Sequence, residues 1–297
     1  MSYWPKDVEH RAPLGDFPPA WASAWGDDRY GLWADLVVGG VTQRLRWIEP
    51  SMGEGFLMGS PQRERKAIKG KDLRKWANLR ETEPQRVAIQ SGFWLADTPC
   101  TQAFWLAVVG GENPSHFKTA ADAPRRPVEQ VPIDDDKDGP GVSGFLQALN
   151  QRLPEPRAAL PSEEQWEYAC RADTATAYWW DDDFDPACAN VDHTGKKGWD
   201  DKQATTPVDR YPPNPWGLFD MHGNVWEWTV SPWRERRDAA PGLDAPLARV
   251  VRGGSWIAPP GIARSACRSR RPDGHRNLNL GFRFLLRSSS ANPEGPA

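Results

Sequence analysis

The residues of this chain whose types could carry chemistry are four cysteines, five histidines, two aspartate triplets and a serine beside a glycine pair. Cys100, Cys170, Cys188 and Cys267 lie far apart, and none forms a Cys-x-x-Cys pair. Zinc and dithiol redox sites want closely spaced sulfurs, so neither is expected. Widely spaced cysteines in a chain of 297 residues read as free buried thiols. His10, His116, His193, His222 and His275 show no His-x-x-x-His spacing, which would place two rings on one helix face. Asp134–Asp136 and Asp181–Asp183 could hold a cation, but they read more simply as solvated loops. Ser255 has no histidine placed by sequence to activate it. Gly253-Gly254 belongs to no phosphate-loop pattern.

The formal net charge is −3, so no global basic field argues for nucleic acid as a partner. No apolar run approaches the length of a membrane span, and residues 1–7 have no apolar signal core, so a cytoplasmic protein without a membrane partner is expected. The 17 Trp and 10 Phe promise an aromatic core, while 26 Gly and 29 Pro promise many turns.

The elements that must position any site follow from pattern. Residues 1–35 read as an aromatic N-terminal arm packed on the domain, with a short helix over Ala20–Trp25. Two β-rich runs, 35–38 and 41–48, flank Gly39-Gly40 and predict a hairpin. A short strand follows at 55–60, then a charge-rich stretch, 63–84, expected as a solvated loop with one helical turn or as a basic partner-binding patch. Residues 85–95 alternate as a strand. Thr101 caps a buried helix to Val109, and Val142, Phe145, Leu146 and Leu149 mark a second helix. Ser162 and Gln165 form a capping box for a third. From 174 to 286 helical period disappears. The fold class is α+β: one domain over 36–287, and a frayed tail over 288–297.

Several motifs, read together, resemble the formylglycine-generating enzyme (sulfatase-modifying factor) family. They are Gly55-Phe56-Leu57-Met58-Gly59, Thr98–Gln102, Arg126–Val131, Leu160–Ala169, Gly217–Trp228, Arg252–Trp256 and Gly281-Phe282-Arg283. The resemblance, over about 45–286, implies a C-type-lectin-like fold with much irregular loop, often holding calcium. In the copper-dependent members, cysteines stand two and seven residues after the aromatic of Gly-Gly-Ser-aromatic. Here those positions are Ala258 and Ala263, which offer Cu(I) no sulfur, so no copper is expected. The related iron-dependent sulfoxide synthases use histidines on a separate helical domain that this chain does not show. By resemblance one calcium site falls on Asn190, Val191, Asp200 and Lys202, the last through its carbonyl. A second falls on Asp220, the carbonyls of Gly223 and Val225, and Glu227, a hard-oxygen set that suits Ca²⁺. Alternatively, Asp220 and Glu227 cap turns or pair with arginines.

Residues 249–286 resemble the C-terminal variable region of proteins diversified by diversity-generating retroelements. The frame is Arg252–Trp256, Ala263–Arg268 and Pro272–Arg283. In such systems template adenines are randomised, chiefly in AAY codons, which cannot become Lys, Glu, Gln, Met or Trp. None of those five occurs between Trp256 and Phe284. The candidate variable, ligand-contacting positions are Ile257, Ala258, Pro259, Ile262, Cys267, Ser269, Arg270, His275, Asn277, Leu278 and Asn279. Arg264, Arg268, Arg276 and Arg283 are expected to be scaffold, because a guanidinium can pin several carbonyls and carboxylates at once.

Three functions remain open on sequence. One is a non-catalytic binding protein showing a hypervariable surface to a protein or other macromolecular ligand. The second is a formylglycine-generating-type oxidoreductase, or a derived enzyme, acting on a cysteine-containing substrate. The third is a structural module with a fixed partner.

Overall fold

The computed structural model describes residues 13, 17–153, 157–194, 203–235 and 248–287. The elements run β1 (Ala24–Asp28), β2 (Gly31–Val38), β3 (Val41–Ile48), β4 (Phe56–Met58), α1 (Gln62–Ala67), α2 (Lys71–Arg80), β5 (Gln85–Val87), β6 (Phe93–Ala96), α3 (Gln102–Val109), α4 (Val142–Asn150), β7 (Arg157–Ala159), α5 (Glu163–Arg171), β8 (Trp226–Pro232), β9 (Ala248–Arg252), β10 (Arg268–Pro272), β11 (Leu280–Gly281) and β12 (Leu285–Arg287). Short helices, short strands and long loops make this an α+β fold. No described helix is long and apolar enough to cross a membrane.

Among the described residues there are three sheets: a six-stranded one in the order β1-β2-β3-β6-β12-β7, a four-stranded one in the order β10-β9-β8-β11, and the pair β4-β5. The hairpin β2–β3 forms as its sequence predicts. Gly39 and Gly40 both take positive φ, 55° and 78°, the twist that a two-residue hairpin turn requires. β12, the end of the described chain, inserts between β6 and β7, antiparallel to both. Residues 285–287 are therefore held inside the larger sheet, next to its edge strand β7.

The main core lies where α3 and α4 cover the Gly281–Leu286 segment. Trp105 stacks on Phe145 at 5.3 Å, and Phe104 stacks on Phe284 at 5.8 Å. Phe282 meets the Phe145 ring edge-on at 5.1 Å. Each such fully buried ring contributes about 2–3 kcal/mol. A second core joins Ile48, Phe93 and Leu285 to Trp166 and Tyr168 of α5 and to Leu218 and Met221.

Local capping is as the sequence proposes. Thr101 Oγ1 accepts the Phe104 N–H, and Ser162 with Gln165 forms the complete capping box. Three expectations change. Ala24–Asp28 is the edge strand β1 rather than the end of a helix, since pairing with β2 satisfies its backbone. The proposed boundary at 35/36 therefore falls inside β2. Residues 63–84 are the helices α1 and α2 rather than a solvated loop, and Glu64, Arg65 and Glu81 there are buried. Residues 85–95 split into β5 and β6, in different sheets.

Candidate ligand-binding surface and its arginine frame

The segment from β9 to β12 has little regular hydrogen bonding of its own, so its carbonyls must be satisfied from elsewhere. Arginine does this. Arg252 is fully buried and donates to the carbonyls of Ser265, Ala266 and Cys267 at 2.8, 3.0 and 2.6 Å, and to the Glu167 carboxylate. Arg264 donates to the Gly261 carbonyl at 3.0 Å and to Glu81 and Glu64. Burial opposes its charge, but the two carboxylates outweigh that cost and hold Arg264 above the ordinary arginine range. Arg268 grips Glu163 with two bonds, at 2.7 and 2.8 Å. Arg283 grips Glu227 with two bonds of 2.7 Å and donates to the Phe219 carbonyl at 2.8 Å. Arg276, nearer the surface, pairs with Asp136 and donates to the Gln130 carbonyl at 2.8 Å. All four expected scaffold arginines do scaffold work. Arg252 is a fifth, and its carboxylate partner lies 85 positions away.

The candidate positions divide by burial. Ile257 is 39% exposed and Arg270 is exposed, while Pro259, His275, Asn277 and Leu278 are half-buried. Ala258, Ile262, Ser269 and Asn279 are buried, at 8–9% exposure, and Cys267 is fully enclosed in the main core. Five of the eleven therefore do not present a free side chain. Asn279 instead donates to Ser255 Oγ at 3.0 Å, inside the molecule.

The topology also separates the rest. Trp256 Nε1 donates to the Leu278 carbonyl at 3.2 Å, which draws Ile257–Pro259 toward Asn277–Leu278. Arg270 lies on β10, at the opposite edge of the four-stranded sheet from β11. Three strand spacings make that roughly 14 Å. Arg270 there pairs with Glu235 at 3.2 Å and lies 5.8 Å from the Trp233 ring. His275 sits on the connection between the two edges; burial, with help from Arg271, pushes its pKa down.

Catalytic alternatives find little support among the residues in place. Ala258 and Ala263 are both buried, and burial pushes the Cys267 thiol far up. The four cysteines are free; three are buried and Cys188 is half-buried. Ser255 accepts from Asn279 and not from a histidine. The aspartate runs serve as turn and helix caps. Asp135 accepts the Gly141 and Gly144 N–H groups at the start of α4, and Asp182 accepts from Ala177 N.

The calcium donor set fits in part. Asp200 and Lys202 lie outside the described residues. Asn190 and Gly223 come together through a parallel bridge, and the Asn190 side chain donates to the Ala204 carbonyl at 3.0 Å. Asp220 is buried, and burial pushes its carboxyl up to about 8. Its Oδ2 accepts from Asn224, while its Oδ1 has no partner, which leaves one hard oxygen for a cation. Glu227 does not fit. Its oxygens already accept two bonds from Arg283 and one, at 2.7 Å, from Trp166 Nε1. A divalent ion there would face the guanidinium, so Glu227 is the arginine partner of the two alternatives. Among the described residues, no three of His, Cys, Asp and Glu gather as a metal site.

Comparison with known proteins agrees with this architecture. The Treponema denticola variable protein 1 superposes with a TM-score of 0.61 at 22% identity, covering 86% of this chain and 99% of that one, which shows the shared C-type-lectin-like fold. The formylglycine-generating enzyme of Mycobacterium tuberculosis is 31% identical over 152 residues, 42% of this chain and 50% of that protein. The inactive Cα-formylglycine-generating enzyme 2 of Bos taurus is 36% identical over 148 residues, 46% of each. The chain thus matches half or less of these curated relatives' length. The profile of the sulfatase-modifying factor enzyme 1-like domain matches residues 55–288. The chain belongs to the sulfatase-modifying factor enzyme 1-like domain family.

Proposed function

We propose that this chain is a non-catalytic ligand-binding protein whose C-terminal face is exchanged by a diversity-generating retroelement. The observation that carries the reading is the division of labour within 252–283. The arginines and Trp256 hold the backbone, while Ile257 and Arg270 are exposed and Pro259, His275, Asn277 and Leu278 are half-buried. Exchange at those six positions leaves the pinning bonds in place. Apolar Ile257, Pro259 and Leu278 beside polar neighbours suit a protein or other macromolecular ligand. The five buried positions accept only side chains that fit the core, so they tune the shape of the face and do not touch the ligand. The free thiols suit the reducing cytoplasm. Calcium at Asp220 would satisfy its orphaned oxygen; added Ca²⁺ then raises the melting temperature of the protein and not that of Asp220→Asn.

Sequencing the locus tests the main reading. A reverse transcriptase gene should lie nearby, with a near-copy of the codons for 252–283 differing almost only at adenines. Their absence sinks the proposal. Family membership keeps the oxidoreductase alternative in play, and an assay for copper-dependent oxidation of a cysteine peptide decides it. No product is expected, because Ala258 and Ala263 stand where the sulfur ligands would be.

A further inference from the structure

A second concavity lies apart from the candidate surface. It encloses about 520 Å³, and none of residues 249–286 lines it. That volume is in the range of small-molecule sites. Trp47, Phe56, Tyr168 and Trp216 form its walls. The Tyr168 ring meets Trp216 edge-on at 4.8 Å and Phe56 at 5.1 Å, and all three pack against the second core. The walls are thus fixed before any ligand arrives, which spares the cost of ordering them on binding.

Carboxylates outnumber guanidinium groups on the lining, three to two. Asp27, Glu49 and Asp173 line the cavity, and Asp27 and Asp173 are exposed with no ion pair among the described residues. Two arginines also line it, and both are engaged. Arg171 donates to Glu167 and to the carbonyls of Gly59 and Thr176. Arg86 donates to the Gly55 carbonyl and lies 3.7 Å from Glu54. Tyr30, which also lines the cavity, already carries two cations on its ring: Arg29 at 4.5 Å and Arg46, paired with Asp28, at 5.3 Å from the centroid. At the mouth, Met52 and Leu57 are 59% and 44% exposed.

We propose that this cavity binds an alkylated ammonium group. Aromatic faces attract such a cation, and its methyl groups match an apolar wall. It needs no hydrogen-bond acceptor aimed at it, unlike a primary ammonium, which is strongly hydrated. Asp27 and Asp173 add attraction at longer range, and Met52 and Leu57 offer a surface to whatever carries the group. The carrier is a free choline-type molecule or a peptide bearing trimethyllysine.

Calorimetric titration of the full chain with choline, with its neutral isostere 3,3-dimethylbutanol, and with a trimethyllysine peptide tests this. Saturable binding of choline or the peptide is expected, with the neutral isostere at least about tenfold weaker. Peptide binding much tighter than choline identifies a peptide-borne group; equal binding identifies the free cation. Trp216→Ala should weaken binding about tenfold or more, and Asp173→Asn about threefold. Asp173 is exposed with φ 69°, a conformation Asn adopts readily, so Asp173→Asn folds even where Trp216→Ala does not. Equal affinity for the neutral isostere, no binding of either cation, or an Asp173→Asn variant that binds like wild type overturns the proposal. Substituting Ile257 and Leu278 leaves this binding unchanged, so it stands or falls independently of the variable-surface reading.

Discussion

The two halves of this domain solve the same problem with different materials. Where β2, β3 and β6 lie beside α3 and α4, backbone groups pair within regular elements and the space between is filled with rings, Phe104, Trp105 and Phe145 among them. From β9 to β12 there are few ladders to close, and Arg252, Arg264, Arg268 and Arg283 reach in to collect carbonyls and carboxylates. The first half is held by area removed from water, and the second by charge-assisted bonds that fix geometry. An irregular surface segment can have a single conformation, provided that its order is supplied from underneath.

The sharpest way to break this contrast is Arg252→Met. It leaves Glu167 with one guanidinium partner fewer and frees three buried carbonyls, so a loss of about 3–5 kcal/mol is expected in urea denaturation. Arg252→Met combined with Glu167→Gln should recover part of it. Phe145→Ala, in the other half, should cost about 3–4 kcal/mol by leaving a cavity under α4. If the arginine proves near-neutral while the ring is costly, the two halves do not differ as described.

Acidity sharpens the contrast next. Burial pushes Asp97 and Glu129 up to about 7 and Asp220 to about 8, above the 3.8 or 4.5 of the free groups. A raised carboxyl keeps its full contribution to stability below the unfolded value and loses it as pH climbs through the folded one. Stability should therefore fall between about pH 4 and pH 8 on account of these groups, and Asp97→Asn should flatten part of that slope. His222 acts in the other direction. Burial lowers it to about 4, so its contribution is present above 6.5 and lost as pH falls through 4. Denaturation midpoints across pH give both signs.

The smallest effects belong to the surface. Ile257→Ser, Arg270→Ala and Leu278→Ser should each change stability by no more than about 0.5 kcal/mol, because their neighbours are pinned by other residues. A thermal melt that drops sharply for any of them would place that residue in the frame.

What the sequence shows of this molecule is mostly its short-range chemistry. The Gly39-Gly40 turn, the Thr101 cap and the Ser162–Gln165 box are local arrangements, and each forms as expected. The family motifs carried the fold. The charge-rich 63–84 stretch misled because its carboxylates look solvated in isolation, whereas Glu64 and Glu81 meet Arg264 across 200 and 183 positions. Cys267 and Asn279 looked exchangeable because codon chemistry carries no information about burial. Alternation along Arg268–Pro272 would not have separated the inward side chains, because the successive residues Arg268 and Ser269 are both buried.

The bond from Trp256 Nε1 to the Leu278 carbonyl closes a ring of chain between positions 22 apart. Once the two ends of a loop are tied by constant groups, the entropy of bringing them together depends only weakly on what lies between; doubling the length costs about 0.6 kcal/mol. The exposed turn at Gly274, where an added Cβ would meet no atom within 4 Å, is thus a place where the segment can lengthen as well as change its side chains. A face built this way can vary in contour as freely as in chemistry.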